Sequence, residues 1–260
     1  MTHVYNNTFF DYIDQGAQQS ARSLIEKMGP ILQPKSVLDL GCGRGVWLNE
    51  WTQSGVQAVV GVDGDYVDRS QLAIPEESFI AADLTQPVET GRRFDLAQSL
   101  EVGEHLPGSA SETLVDSLTS AADRVLFSAA VVGQGGEFHI NERPLSFWQG
   151  LFAERGYQAI DCVRPMLRDA SSVEPWYRFN TVLYVNEAGK QGLTDDVLRH
   201  AAPHNQKLAD GGNVMWKLRR SAVSHLPQHT VTRIAQARAW LIAARAARNT
   251  KKARPFHAPR

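Results

Sequence analysis

Cysteine is nearly absent from the 260-residue chain. Only Cys42 and Cys162 occur, so no disulfide framework can form and a reducing compartment is expected. Long apolar runs are missing too. No window approaches the roughly 18 consecutive apolar residues of a membrane-spanning helix, and the first thirty residues hold no basic-then-apolar leader. The expectation is a cytoplasmic protein. Internal repeats are absent. With 43% apolar and 21% charged residues, wholesale disorder and fibrous architecture are excluded. The last quarter lacks negative charge. Residues 198–260 hold 13 Lys+Arg and one acid, Asp210, whereas residues 1–197 hold 14 Lys+Arg and 27 Asp+Glu. A net charge of −1 therefore conceals an acidic body and a basic tail.

Along the chain, Asp14 to Leu32 has apolar residues at helical spacing, ending near Gly29-Pro30 and Pro34. Short apolar runs at 36–40, 58–62, 79–82, 94–99 and 124–131 read as strands, with helical patterns at 46–54 and 111–122 between them. This alternation predicts an α/β fold with a largely parallel sheet and a ligand crevice at the strands' carboxyl ends. A helix over 144–155 and strands over 157–163 and 180–185 follow. The pattern then degrades, apart from a helix expected over 230–248 and a disordered end after 249. The expected division is a helical cap (1–35), a ligand-binding domain (36–186) and a basic, helical to partly disordered extension (187–260).

The chemistry should sit at the strand ends. Gly41-Cys42-Gly43-Arg44-Gly45 follows the first strand and opens a helix, as a loop must where a ligand approaches backbone closely. Its G-x-G-x-G spacing is not the G-x-G-x-x-G of dinucleotide folds, and it lacks the Lys-Ser/Thr of a triphosphate loop. Asp39 just before it would repel a pyrophosphate but suit an ammonium group. Asp63, at the second strand's end before Gly64, can accept both hydroxyls of a ribose. Asp83, before Leu84 at the third strand's end, can accept the exocyclic amine of adenine. Each acid also has an ordinary alternative, in a helix cap, the Asp63-Gly64 turn or a loop. Together they ask for an amine, a ribose diol, an adenine and no phosphate, a description that S-adenosylmethionine (SAM) meets.

Val37-Leu-Asp-Leu-Gly-Cys-Gly-Arg-Gly45, Val60-Gly-Val-Asp63, Ala82-Asp83 and Phe94-Asp-Leu-Ala-Gln-Ser-Leu-Glu-Val-Gly-Glu-His-Leu106 resemble the first four motifs of class I SAM-dependent methyltransferases. The resemblance covers residues 10–186. It implies a Rossmann-like seven-stranded, mostly parallel sheet with an antiparallel last strand and helices on both faces. It also implies cofactor contacts from Asp39, Gly41, Cys42, Gly43, Asp63, Gly64, Asp83, Leu84, Leu100 and Glu101. More narrowly, Phe127-Ser-Ala-Ala, Gly135-Gly-Glu-Phe-His-Ile-Asn-Glu and Phe147-Trp148 are similar to methyltransferases of bacterial surface-polysaccharide gene clusters.

Glu101, Glu104 and His105 have the spacing E-x-x-E-H, and His139 lies in the loop after the fifth strand. Two carboxylates and two imidazoles can ligate Mg²⁺ or Mn²⁺. The pattern is similar to the metal site of ubiquinone-pathway and small-RNA 2′-O-methyltransferases. Alternatively, His105 or His139, with Glu104, serves as general base for a hydroxyl acceptor, or the cluster merely lines the pocket. Glu137, Asn141 and Arg143 are expected to face the acceptor, and Trp47, Phe138, Trp148, Trp176 and Tyr177 to offer it a stacking wall. The absence of an Asn/Asp-Pro-Pro-aromatic motif after the fourth strand disfavours an exocyclic amine as target. The expected activity is O-methylation of a sugar, glycan precursor or small metabolite. The alternatives are an RNA methyltransferase using the basic tail and an inactive cofactor-binding module. The tail has three readings: contact with an anionic membrane surface at the inner face, nucleic-acid binding, or a solvated or self-docking appendage against the acidic body.

Overall fold

The computed structural model describes residues 7–203 and 206–237, with side chains from residue 16 onward. Helix α1 (Asn7–Leu32) precedes strand β1 (Ser36–Leu40), helix α2 (Val46–Gln53), β2 (Ala58–Asp63), β3 (Phe79–Ala81) and β4 (Leu96–Leu100). There follow α3 (Ser111–Ala121), β5 (Arg124–Ser128), α4 (Leu145–Glu154), β6 (Gln158–Ile160), α5 (Val163–Leu167), α6 (Pro175–Asn180) and β7 (Val182–Val185). The seven strands form one sheet in the order β3-β2-β1-β4-β5-β7-β6. Pairings among β1 to β5 are parallel, whereas β7 runs antiparallel to both β5 and β6. This is the Rossmann-like sheet expected. The strand order reverses between β1 and β4, and there the crevice opens.

Strand side chains alternate between two cores. Val37, Leu96 and Leu126 face α1 and α2, whereas Leu38, Ala97, Val125 and Phe127 face α3 and α4. Near-continuous apolar runs are what a sheet covered on both sides requires. The spacing read in α1 places Ala17, Ala21, Leu24, Ile25 and Met28 in the first core. Its polar side anchors to α2, where Gln18 Nε2 (3.0 Å) and Arg22 (3.2 Å) donate to Glu50.

Two expectations change. The strand expected over 157–163 stops at Ile160, because the Asp161 N–H donates to the His200 carbonyl (2.9 Å) and the chain turns into α5. The stretch after β7 is also more ordered than its pattern suggested. It returns through α7 (Asp195–Leu198) to cover the β6 edge, with Ala202 N–H donating to Ala159 O (2.8 Å), which protects a strand that would otherwise be open. Helix α8 (Val214–Val223) follows, capped by Asn213, whose side chain accepts from Trp216 N–H (2.9 Å). Helix α9 spans residues 228–237. The rest of the helix expected to reach 248, and the expected disordered end, lie outside the described residues. No helix among the described residues is long and apolar enough to cross a membrane.

Candidate functional site

β1 carries Asp39 to the crevice. The carboxylate is 3% exposed. Its Oδ2 accepts from Gln98 Nε2 (2.9 Å), and Gln98 Oε1 in turn accepts from the Trp51 indole N–H (2.8 Å). Burial, reinforced by the charge of Asp63, pushes its pKa up to about 7 against the Gln98 bond. The chain then makes a left-handed turn, with φ of 87° at Gly41, 53° at Gly43 and 79° at Gly45. A side chain on Gly41 would collide with Val102. The Gly43 N–H donates to Asp63 Oδ2 (2.6 Å). Asp63 Oδ1 accepts from Gly64 N–H (2.7 Å) and from the Tyr66 hydroxyl (2.5 Å). Burial still lifts the Asp63 carboxyl above its ordinary range. Asp83 is exposed and its Oδ1 accepts from Thr85 N–H (2.9 Å), a local turn.

At the end of β4, Glu101 holds a left-handed φ of 58°, a strained backbone for a side chain of its size. Its Oε2 accepts from Gln134 Nε2 (2.6 Å), and Gln134 Oε1 accepts from Asn180 Nδ2 (2.7 Å). Glu104 is fully buried, and neither carboxylate oxygen has a hydrogen-bond partner. Burial, with the charge of Glu101 beside it, drives the Glu104 carboxyl well above its ordinary range, and Glu101 is raised by burial as well. The His105 and His139 rings meet edge to face, with centroids 5.0 Å apart. His139 Nδ1 lies 2.9 Å from Glu142 Oε1, and Glu142 also accepts from the N–H groups of Gly133 (2.8 Å) and Gly135 (2.7 Å). Burial would raise Glu142, but the His139 ring and these two bonds outweigh it and hold the carboxyl below its ordinary range.

One cavity of about 1590 Å³ joins the two halves. Asp39, Gly41, Cys42, Gly43, Asp63, Gly64, Asp83, Leu84, Leu100, Glu101, Glu104, His105 and His139 all line it. Small-ligand pockets run to roughly 300–1,000 Å³, so this cavity has room for two ligands. Of the four expected metal ligands, Glu104, His105 and His139 bring their donor atoms within 4.8 Å of one another. Glu101 is not in that group; Gln134 holds its Oε2, and its Oε1 is buried without a partner. Trp47, Trp176 and Tyr177 line the cavity as expected, but Phe138 does not. Trp148 is wholly buried against Phe127 in the core. Glu137 lines the cavity, whereas Asn141 and Arg143 do not. The Asn141 amide instead ties Gly103 O (3.1 Å) to Ser111 (3.0 Å), and Arg143 holds Asn141 (2.8 Å). Sequence reasoning gave no role to Tyr66, Gln134, Glu142 and Trp216: Tyr66 and Glu142 act through near neighbours, Asp63 and His139, whereas Gln134 acts through the distant Glu101.

If Asp63 holds a ribose, as expected from the sequence, the Tyr66 hydroxyl on its Oδ1 competes with the ligand for a lone pair. Asp63→Ala is therefore expected to weaken adenosyl-ligand binding by about 1.5–3 kcal/mol, and Tyr66→Phe to tighten it by about 1 kcal/mol. Calorimetry with S-adenosylhomocysteine (SAH) measures both. Weaker binding in Tyr66→Phe would show that the hydroxyl serves the ligand rather than competing with it.

The methyltransferase-domain family matches residues 13–161, more than half of the chain. Among solved structures, an O-methyltransferase family protein from Burkholderia thailandensis is similar at 12% identity and TM-score 0.54, covering 68% of this chain and 58% of that one. The chain thus spans less than two thirds of that protein's length. Magnesium protoporphyrin IX methyltransferase from Synechocystis, with bound SAH, is similar at 18% identity and TM-score 0.51, covering 70% of this chain and 96% of that one. The same enzyme with bound SAM gives 20% identity and TM-score 0.50, covering 70% and 85%. At these identities the likeness is one of fold. No curated protein matches the chain. With the glycine loop, the strand-end acids and the sheet order all inside or framing the matched segment, the chain belongs to the methyltransferase-domain family.

Proposed function

We propose that the chain transfers a methyl group from SAM to a hydroxyl of a small acceptor, a sugar, glycan precursor or other metabolite. The carrying observation is that Asp39, the glycine loop and Asp63 share a single cavity with Glu104, His105 and His139. The donor set fits SAM: a buried carboxylate for its ammonium, a second carboxylate for its ribose, and between them a loop in which three of five residues are glycine. Bound SAM supplies an electrophilic methyl on a sulfonium. The chain's own residues do the rest. Leu100 and Glu101 border the methionine end. With its Nδ1 against Glu142, His139 presents Nε2 as the atom that takes the acceptor proton. Gly136 leaves that atom accessible, since a Cβ there would press on it.

A divalent cation, Mg²⁺ or Mn²⁺, is the competing arrangement, favoured by the mutual approach of the Glu104, His105 and His139 donors and by the two unpartnered oxygens of Glu104. Those three residues would hold it, and it would lower the pKa of the acceptor hydroxyl. An RNA acceptor fits less well, because residues 1–197 are strongly acidic. An inactive module does not account for a complete set of strand-end acids. A cytoplasmic location belongs to this reading, and contact of the basic residues beyond 237 with an anionic membrane surface is its extension to the tail.

Calorimetry against SAH, SAM and NAD tests the cofactor, with binding of the first two and none of NAD expected. Transfer of labelled methyl to a panel of extracts, with and without chelator, tests the acceptor and the cation. NAD binding without SAH binding would overturn the proposal.

A further inference from the structure

The family match ends at residue 161, but the wall of the cavity does not. Trp216, Arg219 and Val223 of α8, Leu226, and Val231 and Ile234 of α9 all line it. These residues approach the side that holds His139, and most of them are apolar.

They are clasped to the loop 131–142 by bonds to its carbonyl groups. Arg219 Nη1 donates to Gln134 O (2.6 Å). Arg220 donates to Val132 O through Nε (3.0 Å) and Nη2 (2.8 Å), and to Asp210 Oδ2 (2.7 Å). Asp210 in turn accepts from Leu145 N–H (3.0 Å) at the start of α4. Gln228 Nε2 donates to His139 O. The loop is shaped for this approach. A side chain on Gly133 would collide with the Arg220 carbonyl, and one on Gly135 with Val223 and Val231. The clasped loop carries Gln134, which holds Glu101, and Glu142, which holds His139.

We propose that residues 208–237 complete the acceptor half of the site. Arg219 and Arg220 are positioning residues for the His139 loop, and Trp216 with Leu226 and Ile234 selects a hydroxyl acceptor that carries an apolar body. This deepens the methyltransferase reading and rests on it. A free sugar has no use for an aliphatic wall, whereas a glycoside with an alkyl or prenyl aglycone fills one.

The test uses the full chain and its Arg220→Ala, Arg220→Lys and Trp216→Ala variants. SAH affinity is read by calorimetry, and amide exchange of residues 131–142 by mass spectrometry. Octyl and methyl β-glucoside, both below any micelle concentration and with SAH saturating, probe the acceptor half. SAH affinity is expected to stay within about twofold in every variant. Exchange across 131–142 should rise about tenfold or more in Arg220→Ala and return largely to normal in Arg220→Lys. The octyl glycoside should bind about tenfold more tightly than the methyl glycoside, and Trp216→Ala should remove most of that difference. If SAH binds but loop exchange is unchanged in Arg220→Ala, the positioning role fails. If the octyl chain gives no gain, or its gain survives Trp216→Ala, the apolar acceptor wall fails. Absence of SAH binding to the unaltered chain overturns the methyltransferase reading and this proposal with it.

Discussion

Glu104→Gln is expected to make the protein more stable at pH 8 and, where Glu104 helps hold a cation, to abolish the cation-dependent methyl transfer. The stability half follows from burial. Glu104 is a carboxyl with no hydrogen-bond partner on either oxygen, and its folded pKa lies well above the ordinary value. A group raised in the folded state contributes stability that is present below its unfolded pKa and lost as pH rises through its folded pKa. The native protein should thus lose stability toward alkaline pH, and the Gln variant should lose less. Removing a buried, unpartnered charge is worth about 1–3 kcal/mol, and each kcal/mol moves the melting temperature of a chain of this size by about 2–4 °C. The activity half separates the two chemistries at this corner. If His139 is the base, His139→Gln should lower turnover about 10²–10⁴-fold with SAH affinity nearly constant, and a chelator should do nothing. If Glu104, His105 and His139 hold a cation, a chelator should abolish turnover and Mg²⁺ or Mn²⁺ should restore it. Full activity in His105→Gln and His139→Gln, with no chelator effect, would mean that positioning alone drives transfer. A Glu104→Gln melting temperature below that of the native protein at pH 8 would show that the carboxylate is satisfied in solution.

Asp39→Asn should show the same trade between stability and binding, with a titration inside the physiological range. The Asp39 carboxyl is pushed up to about 7, chiefly by burial. Without ligand, its contribution to stability is lost between the unfolded carboxylate range and pH 7, so the Asn variant is expected to be more stable at pH 8 by about 2 kcal/mol. Ligand binding reverses the preference, because an ammonium beside Asp39 favours the charged form. SAH affinity should therefore fall about tenfold from pH 8 to pH 6 in the native protein, with proton release on binding below pH 7. The Asn variant should bind SAH at least about tenfold more weakly at pH 8 and show a flatter profile. Calorimetry across this range decides the matter. A flat profile in the native protein would remove Asp39 from the ammonium site.

Much of the cofactor half is legible in the sequence. Val37 to Gly45 is a strand, a tight loop and a helix start written in contiguous residues, and the strand-end positions of Asp39, Asp63 and Asp83 follow from the same local pattern. The α5 and α6 segments were not legible. Each is only five or six residues long, α5 contains Pro165, and tertiary packing rather than helical period shapes both. Among the four expected metal ligands, sequence spacing could not separate Glu101 from Glu104. The separation is one of distance in the fold, since the donor atoms of Glu104, His105 and His139 lie within 4.8 Å of one another, while Gln134, 33 residues beyond Glu101, holds one oxygen of its carboxylate.

The tail shows the same division more sharply. Its basic charge is plain in composition, and three uses of that charge were open. Folding places Arg219 and Arg220 on the carbonyl groups of Gln134 and Val132, 85 and 88 residues earlier, so these two charges serve the body itself. Strands, turns and strand-end acids are settled by side-chain period and backbone sterics over a few neighbouring residues, and these can be read directly. Which donors converge on the cavity, and what closes its acceptor side, depends on contacts between segments far apart in the chain. Those contacts form only once the sheet and both cores have brought the segments together.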